Sequence, residues 1–241
     1  YQPKINLISK QVIGAEALLR WQHKGQTILP SKIIHVAESS GFIEKVDAWV
    51  LNRACLQIKE WEQSEKTIIP ISINISGRLL GRNKITDMLK HALYKYSLDP
   101  KWIEIEITEN DLVSDHENTQ KILEIIHGLG VKIAIDDFGT GYSSLSYLKD
   151  LSADTLKIDR KFVVNAMANH ADREIASAIV KLARSLNMHV VVEGIETEEQ
   201  ELFFKGLGAH SAQGYLYAKA MPMDKFIAFI DTYTPENPTT R

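Results

Sequence analysis

Apolar and polar residues alternate strictly in two stretches of the chain. Over 71–76, Ile71, Ile73 and Ile75 share one side of an extended strand, while Ser72, Asn74 and Ser76 share the other. Over 103–108, Ile103, Ile105 and Ile107 oppose Glu104, Glu106 and Thr108. With these, the short apolar runs predict strands at 3–8, 11–19, 69–75, 102–108, 131–136, 154–158, 188–193 and 209–214. Between them lie helix-like segments at 31–39, 44–64, 83–96, 115–129, 143–149, 171–186, 197–206 and 223–232. Val46, Val50, Ala54, Ile58 and Trp61 recur at spacings of three and four and give one apolar stripe; Ile175, Ile179, Leu182 and Leu186 give another. Ser114 with Glu117, and Thr197 with Gln200, have the spacing of capping boxes at helix starts. Strands interleaved in this way with helices fit an α/β fold of the (β/α)8 TIM-barrel kind better than an open doubly wound sheet.

A barrel changes the reading of the alternating strands. A half-solvated antiparallel strand would account for either one alone. In a barrel, helices cover the outer face, so the polar face looks into the lumen, where an unpartnered charge costs several kcal/mol. Six of the segments end in order on Glu16, Asn74, Glu106, Asp136 with Asp137, Lys157 and Glu193, and Gln213 extends the series. Parallel barrels gather their chemistry at this C-terminal rim. The carboxylates outnumber the lysine, so one small site could hold them all only with metal cations between them.

Composition narrows the choice. A length of 241 residues is close to that of one barrel, with 1–232 as the domain and 233–241, which carries two prolines, as a frayed tail. A formal charge of −3 argues against a broad surface for nucleic-acid polymers but leaves room for a small phosphorylated ligand held by metals. Cys55 is the only cysteine, so zinc–thiolate motifs are absent. The eight histidines show no helical i, i+4 pair. Oxygen ligands without thiolate or clustered histidine point to Mg²⁺ or Mn²⁺, and two such ions about 3.5–4 Å apart are the usual apparatus for in-line attack of water on a phosphodiester. No apolar run reaches the ~18 residues of a membrane span, and no signal-peptide pattern is visible; the domain itself is expected in the cytoplasm, within a full-length protein that could be membrane-anchored. The chain opens at Tyr1 inside a strand-like segment, as expected of a domain taken from a longer protein with an upstream sensory or regulatory part.

Several side chains keep two readings. Glu16 and Arg20 lie on one strand face and could form a salt bridge, or Arg20 could clamp a ligand phosphate. Asp136 and Asp137 point to opposite sides of a regular strand, so they serve one site only if the chain turns there; Gly139 and Gly141 in the loop 138–144 allow that. Asp137 could otherwise cap the next helix. Lys157 either neutralises the acids or orients a nucleophilic water. Glu193 is either a partner of a metal ligand or a general base.

At these residues the sequence resembles, over nearly its whole length, the EAL-domain family of cyclic di-GMP phosphodiesterases. The name-giving triplet is Glu16-Ala17-Leu18, and the match runs through YQPKI, EALLRW, INIS, ITEN, DDFGTGYSSLSYLK, LKID, EGIET and QGYLY. The resemblance implies a modified barrel whose first strand is antiparallel to the others, and hydrolysis of cyclic di-GMP to linear 5′-pGpG. It implies Glu16, Asn74, Glu106 and Asp136 as ligands of one metal, and Asp136 bridging to a second that Asp137 also holds. Lys157 and Glu193 match the positions that hold the hydrolytic water, with Glu193 taken as the general base. Gln213 matches a position near the metal and substrate waters, Arg20 a substrate-phosphate contact, and Glu109 a glutamate that holds the loop after Asp137 beside a homodimer interface. Ala220 stands where the family usually has proline, so a less rigid last rim loop is expected. A catalytically silent receptor that binds the dinucleotide and signals to a partner is the alternative, and an unrelated two-metal barrel phosphohydrolase is a third reading.

Overall fold

The computed structural model describes residues 1–28, 30–64, 66–80, 84–113, 116–139 and 145–233. Ser114 of the first capping box, the stretch 140–144 of the loop after Asp137, and the tail 234–241 lie outside the described residues. The strands are β1 (Gln2–Asn6), β2 (Val12–Ala17), β3 (Trp21–His23), β4 (Gln26–Ile28), β5 (Ile71–Asn74), β6 (Ile103–Thr108), β7 (Lys132–Phe138), β8 (Thr155–Ile158), β9 (His189–Glu193) and β10 (Ser211–Gln213). The helices are α1 (Pro30–Ser40), α2 (Ile43–Gln63), α3 (Gly77–Leu80), α4 (Lys84–Tyr96), α5 (Glu109–Val113), α6 (His116–Gly128), α7 (Leu145–Asp150), α8 (Arg160–Ala168), α9 (His170–Ser185), α10 (Glu198–Leu207) and α11 (Met223–Thr232).

All the strands except β3 and β4 close into a barrel in the order β1-β10-β9-β8-β7-β6-β5-β2. β1 is antiparallel to both its neighbours, and every other barrel pairing not involving β1 is parallel. The connection after β1 explains the reversal. The Asn6 side chain accepts the N–H groups of Ile8 and Ser9, Asn6 and Gln11 bond across the turn, and Lys10 takes a left-handed φ of 59°. So short a link leaves no room for the helical crossover that a parallel neighbour requires.

The alternation seen in the sequence sorts residues between core and lumen as expected. Ile71, Ile73, Ile103, Ile105, Ile133, Ile135, Leu156, Ile158, Val190 and Val192 are sealed under the helices, each burial contributing about 1.5–3 kcal/mol. Ser72, Glu104 and Glu106 turn inward. Ser76 lies beyond the end of β5 and donates its hydroxyl to Asp47 on α2 instead. The Thr197–Gln200 capping box forms in both directions.

Three local expectations change. The stripe read at Ile175, Ile179, Leu182 and Leu186 is out of phase: the buried face of α9 is Ala176, Ser177, Ile179, Val180 and Ala183, and Ile175 is exposed. Small residues let α9 pack close, so Ala and Ser do the work assigned to larger ones. The strand read over 11–19 ends at Ala17, so Arg20 is past its alternation. The hairpin of β3 and β4 and the helices α3, α5 and α8 are additions to the predicted elements.

Candidate active site

Register brings the rim residues together. Glu16 pairs with Ser72, Asn74 with Glu106, Thr108 with Asp136, and Gln213 with Glu193 on adjoining strands. The Lys157 ammonium, fully buried on β8, sits among their carboxylates. It lies 2.7 Å from Glu106, 2.7 Å from Glu193, 3.1 Å from Asp136 and 3.6 Å from Glu16. Glu16 also accepts from Asn74 Nδ2 at 2.9 Å and from Gln213 Nε2 at 2.7 Å. Seven of the residues singled out in the sequence thus form one connected network.

Asp137 joins them through a break in the strand. Its φ is 53°, in the left-handed region, and the pairing of β7 with β8 shifts register between Ile135 and Phe138. This is the turn that adjacent aspartates need in order to face one site. Oxygens of Asp136, Asp137 and Glu193 lie within 4.8 Å of one another. The Asp137 N–H caps its neighbour's carboxylate, Asp136 Oδ1, at 2.9 Å. Next comes Gly139 at φ 88°, where a Cβ would stand 2.7 Å from the Phe162 ring, so glycine is required. Glu109, the buried first residue of α5, accepts the Gly139 N–H at 2.7 Å and so ties down the start of the loop.

Arg20 stands apart. It is exposed, its guanidinium donates to Leu19 O at 2.8 Å, and it lines a cavity of about 530 Å³ with Tyr1, Trp49 and Arg53. Glu16 bonds to Asn74, Gln213 and Lys157, so the expected alternatives for Arg20 lose their intrastrand salt bridge.

A second tier of polar groups lies deeper in the barrel. Lys4 on β1 donates to Ser72 Oγ at 2.5 Å, Glu104 Oε2 at 2.7 Å and Glu106 Oε1 at 2.8 Å. Thr155 donates to the other oxygen of Glu104 at 2.8 Å. Lys4 had no assigned part in the sequence reading. The available signal was QPKIN, in which Gln2 and Lys4 alternate with Pro3 and Ile5, as polar and apolar residues do in β6.

The charges explain the electrostatics. Burial opposes ionisation of Glu106, but the Lys157 and Lys4 ammoniums outweigh it and hold the carboxyl down at about 2. Glu193 behaves oppositely: burial pushes it up to about 8, with Lys157 pulling down and Asp136, Glu16 and Glu106 pushing up. Burial and then Glu106 raise Glu16 as well. Lys157 stays charged because Glu106, Glu16, Glu193 and Asp136 together overcome its burial.

The donor set fits divalent cations. Six carboxylates, those of Glu16, Glu104, Glu106, Asp136, Asp137 and Glu193, face two ammoniums, Lys4 and Lys157. Two divalent ions would balance the excess. Gln213 Oε1 is a buried oxygen without a hydrogen-bond partner among the described residues, while its Nε2 is fixed by Glu16 and Gln2.

The EAL domain family model matches residues 1–220, and the chain belongs to this family. It is 40% identical over 231 residues to the bifunctional diguanylate cyclase/cyclic di-GMP phosphodiesterase MucR of Pseudomonas aeruginosa, covering 95% of this chain and 34% of that protein. It is 38% identical over 234 residues to the cyclic di-GMP phosphodiesterase NbdA of the same organism, covering 97% of this chain and 30% of that one. The chain therefore spans about a third of the length of these relatives. Among solved structures, the MucR phosphodiesterase in complex with c-di-GMP superposes with a TM-score of 0.89 at 42% identity, over 94% of this chain and 92% of that one. The antiparallel first strand expected from the resemblance is present. No helix among the described residues is long and apolar enough to cross a membrane.

Proposed function

We propose that this domain, spanning 1–232, hydrolyses cyclic di-GMP to linear 5′-pGpG with a pair of divalent cations, Mg²⁺ or Mn²⁺. The observation that carries the reading is the excess of carboxylate around Lys157 at the barrel rim, with Asp136, Asp137 and Glu193 gathered at its mouth. The names of MucR and NbdA supply the substrate. Glu16, Asn74, Glu106 and Asp136 would hold one cation, and Asp136 with Asp137 the other. When bound, such a pair supplies charge stabilisation at the phosphoryl oxygens and acidifies water.

The chain's own groups do the rest. Glu193, with 19% of its side chain open at the rim, takes the proton of the attacking water. Lys157 holds Glu193 Oε1 and so aims that carboxylate. The free oxygen of Gln213 accepts a hydrogen bond from water or substrate in the lumen. Arg20, unengaged with the acids, is placed to meet a ligand phosphate with its planar fork. Glu109 fixes the start of the loop that follows Asp137. In the whole protein this unit acts in the cytoplasm as a homodimer, under an upstream sensory or regulatory part.

Chromatography of the nucleotides after incubating the chain with cyclic di-GMP and Mg²⁺ tests the reading. It predicts accumulation of pGpG, stopped by EDTA. Tight binding of cyclic di-GMP without product would overturn it in favour of a silent receptor, and equal cleavage of a generic phosphodiester would overturn the assignment of cyclic di-GMP as its substrate.

A further inference from the structure

We propose that Lys4 is a positioning residue of this site: from the deeper tier of the lumen it fixes the plane of the Glu106 carboxylate and so sets the site's affinity for divalent cations. The inference rests on the two-cation reading above. A carboxylate at the end of a glutamate turns freely about its last bond, where the torsional wells are broad. Glu106 cannot, because Lys4 Nζ takes Oε1 at 2.8 Å and Lys157 Nζ takes Oε2 at 2.7 Å.

Lys4 is itself fixed. An ammonium has three hydrogens, and each has an acceptor: Ser72 Oγ, Glu104 Oε2 and Glu106 Oε1. Glu104 is anchored in turn, since Ser72 donates to its Oε2 at 2.5 Å and Thr155 to its Oε1 at 2.8 Å. The chain of contacts runs Thr155–Glu104–Lys4–Glu106, from the floor of the barrel to the rim. Neutralising Glu104 alone would need no third contact from Lys4. The antiparallel course of β1 is what brings Lys4 to this level, opposite Gly14, where there is no side chain to obstruct it.

Groups that orient metal ligands typically change metal affinity or activity about 10–100-fold when removed. The test is Mn²⁺ titration of the purified chain, followed by electron paramagnetic resonance without nucleotide. Lys4→Met/Glu104→Met removes one charge of each sign and so keeps the net charge of the lumen. Apolar replacement of a buried ion pair is also commonly tolerated. We expect Mn²⁺ affinity to fall about 10–100-fold. Affinity indistinguishable from the wild type would overturn the proposal. Should circular dichroism show that this variant does not fold, Ser72→Ala/Thr155→Val keeps every charge and loosens the same anchor. A weaker Mn²⁺ isotherm there supports the role, and an unchanged one overturns it. Failure of the underlying reading has a different signature, because the wild-type chain would then bind no Mn²⁺ at all.

Discussion

Lys4 and Lys157 hold opposite oxygens of one carboxylate, Glu106, at 2.8 and 2.7 Å, although they lie on strands that run in opposite directions around the barrel. The three groups make a charged column through the middle of the fold. At the upper end of that column four carboxyl groups, those of Glu16, Glu106, Asp136 and Glu193, surround the single Lys157 ammonium.

Removing the upper cation should therefore be costly. In Lys157→Met, the carboxylates of Glu16, Glu106, Asp136 and Glu193 lose the ammonium they surround. Breaking a buried pair by deleting one partner typically costs about 3–5 kcal/mol. Urea unfolding in EDTA should show a loss of that order, and Mn²⁺ should recover more stability in the variant than in the wild type. Equal stability of the two proteins in EDTA would contradict the picture of an overcharged cage.

Catalysis should separate from binding at Glu193. On the proposed reading, Glu193→Gln keeps the shape of the site and removes the base, so kcat should fall by about 10²–10⁴ while cyclic di-GMP still binds. Glu16→Ala removes a cation ligand and should abolish pGpG formation along with Mn²⁺ uptake. Undiminished turnover in either variant, followed by chromatography, would count against its assigned role.

The loop that follows Asp137 should respond to a residue outside the proposed cation site. Glu109→Ala leaves the Gly139 N–H without the acceptor it has at 2.7 Å and frees the left-handed segment that follows Asp137. Both Mn²⁺ affinity and turnover should drop. A Mn²⁺ isotherm identical to the wild type would show that the loop and the site are not coupled.

Acid sensitivity should come partly from the far end of the barrel. His189 stacks on His210 at 4.8 Å and bonds Ser211 at 2.8 Å; burial, and then His210, hold it down at about 4, against an ordinary value near 6.5. As pH falls below about 6.5 the unfolded chain takes up a proton that the folded chain refuses until about 4, so this group destabilises the fold across that window. His189→Asn should flatten the fall in thermal midpoint between these limits. Parallel curves for variant and wild type would contradict the assignment.

How much of this was visible in the sequence follows from the physics of each element. All eight barrel strands were legible: β5 and β6 write the period of two of a wall covered on one side and polar on the other, and the remaining strands show as short apolar runs between helix-like segments. The helix α8 was not: it is only nine residues long, with Phe162, Val163 and Ala166 as its buried positions, too short for a sustained helical period. The hairpin of Trp21–His23 with Gln26–Ile28 is too short and too exposed to carry a periodic signal. Glu16, Asn74, Glu106, Asp136, Lys157 and Glu193 stood out because each ends an apolar run. Lys4 sits mid-strand near the start of the chain, and only closure of the barrel brings it to Glu104 and Glu106, 100 and 102 residues away.

The most direct test of the central claim is anomalous diffraction from a crystal soaked in MnCl₂. The account predicts two manganese peaks at the rim, one among Glu16, Asn74, Glu106 and Asp136, the other between Asp136 and Asp137. A lumen without anomalous density, with Glu16, Glu106 and Asp136 still bonded to Lys157, would contradict it.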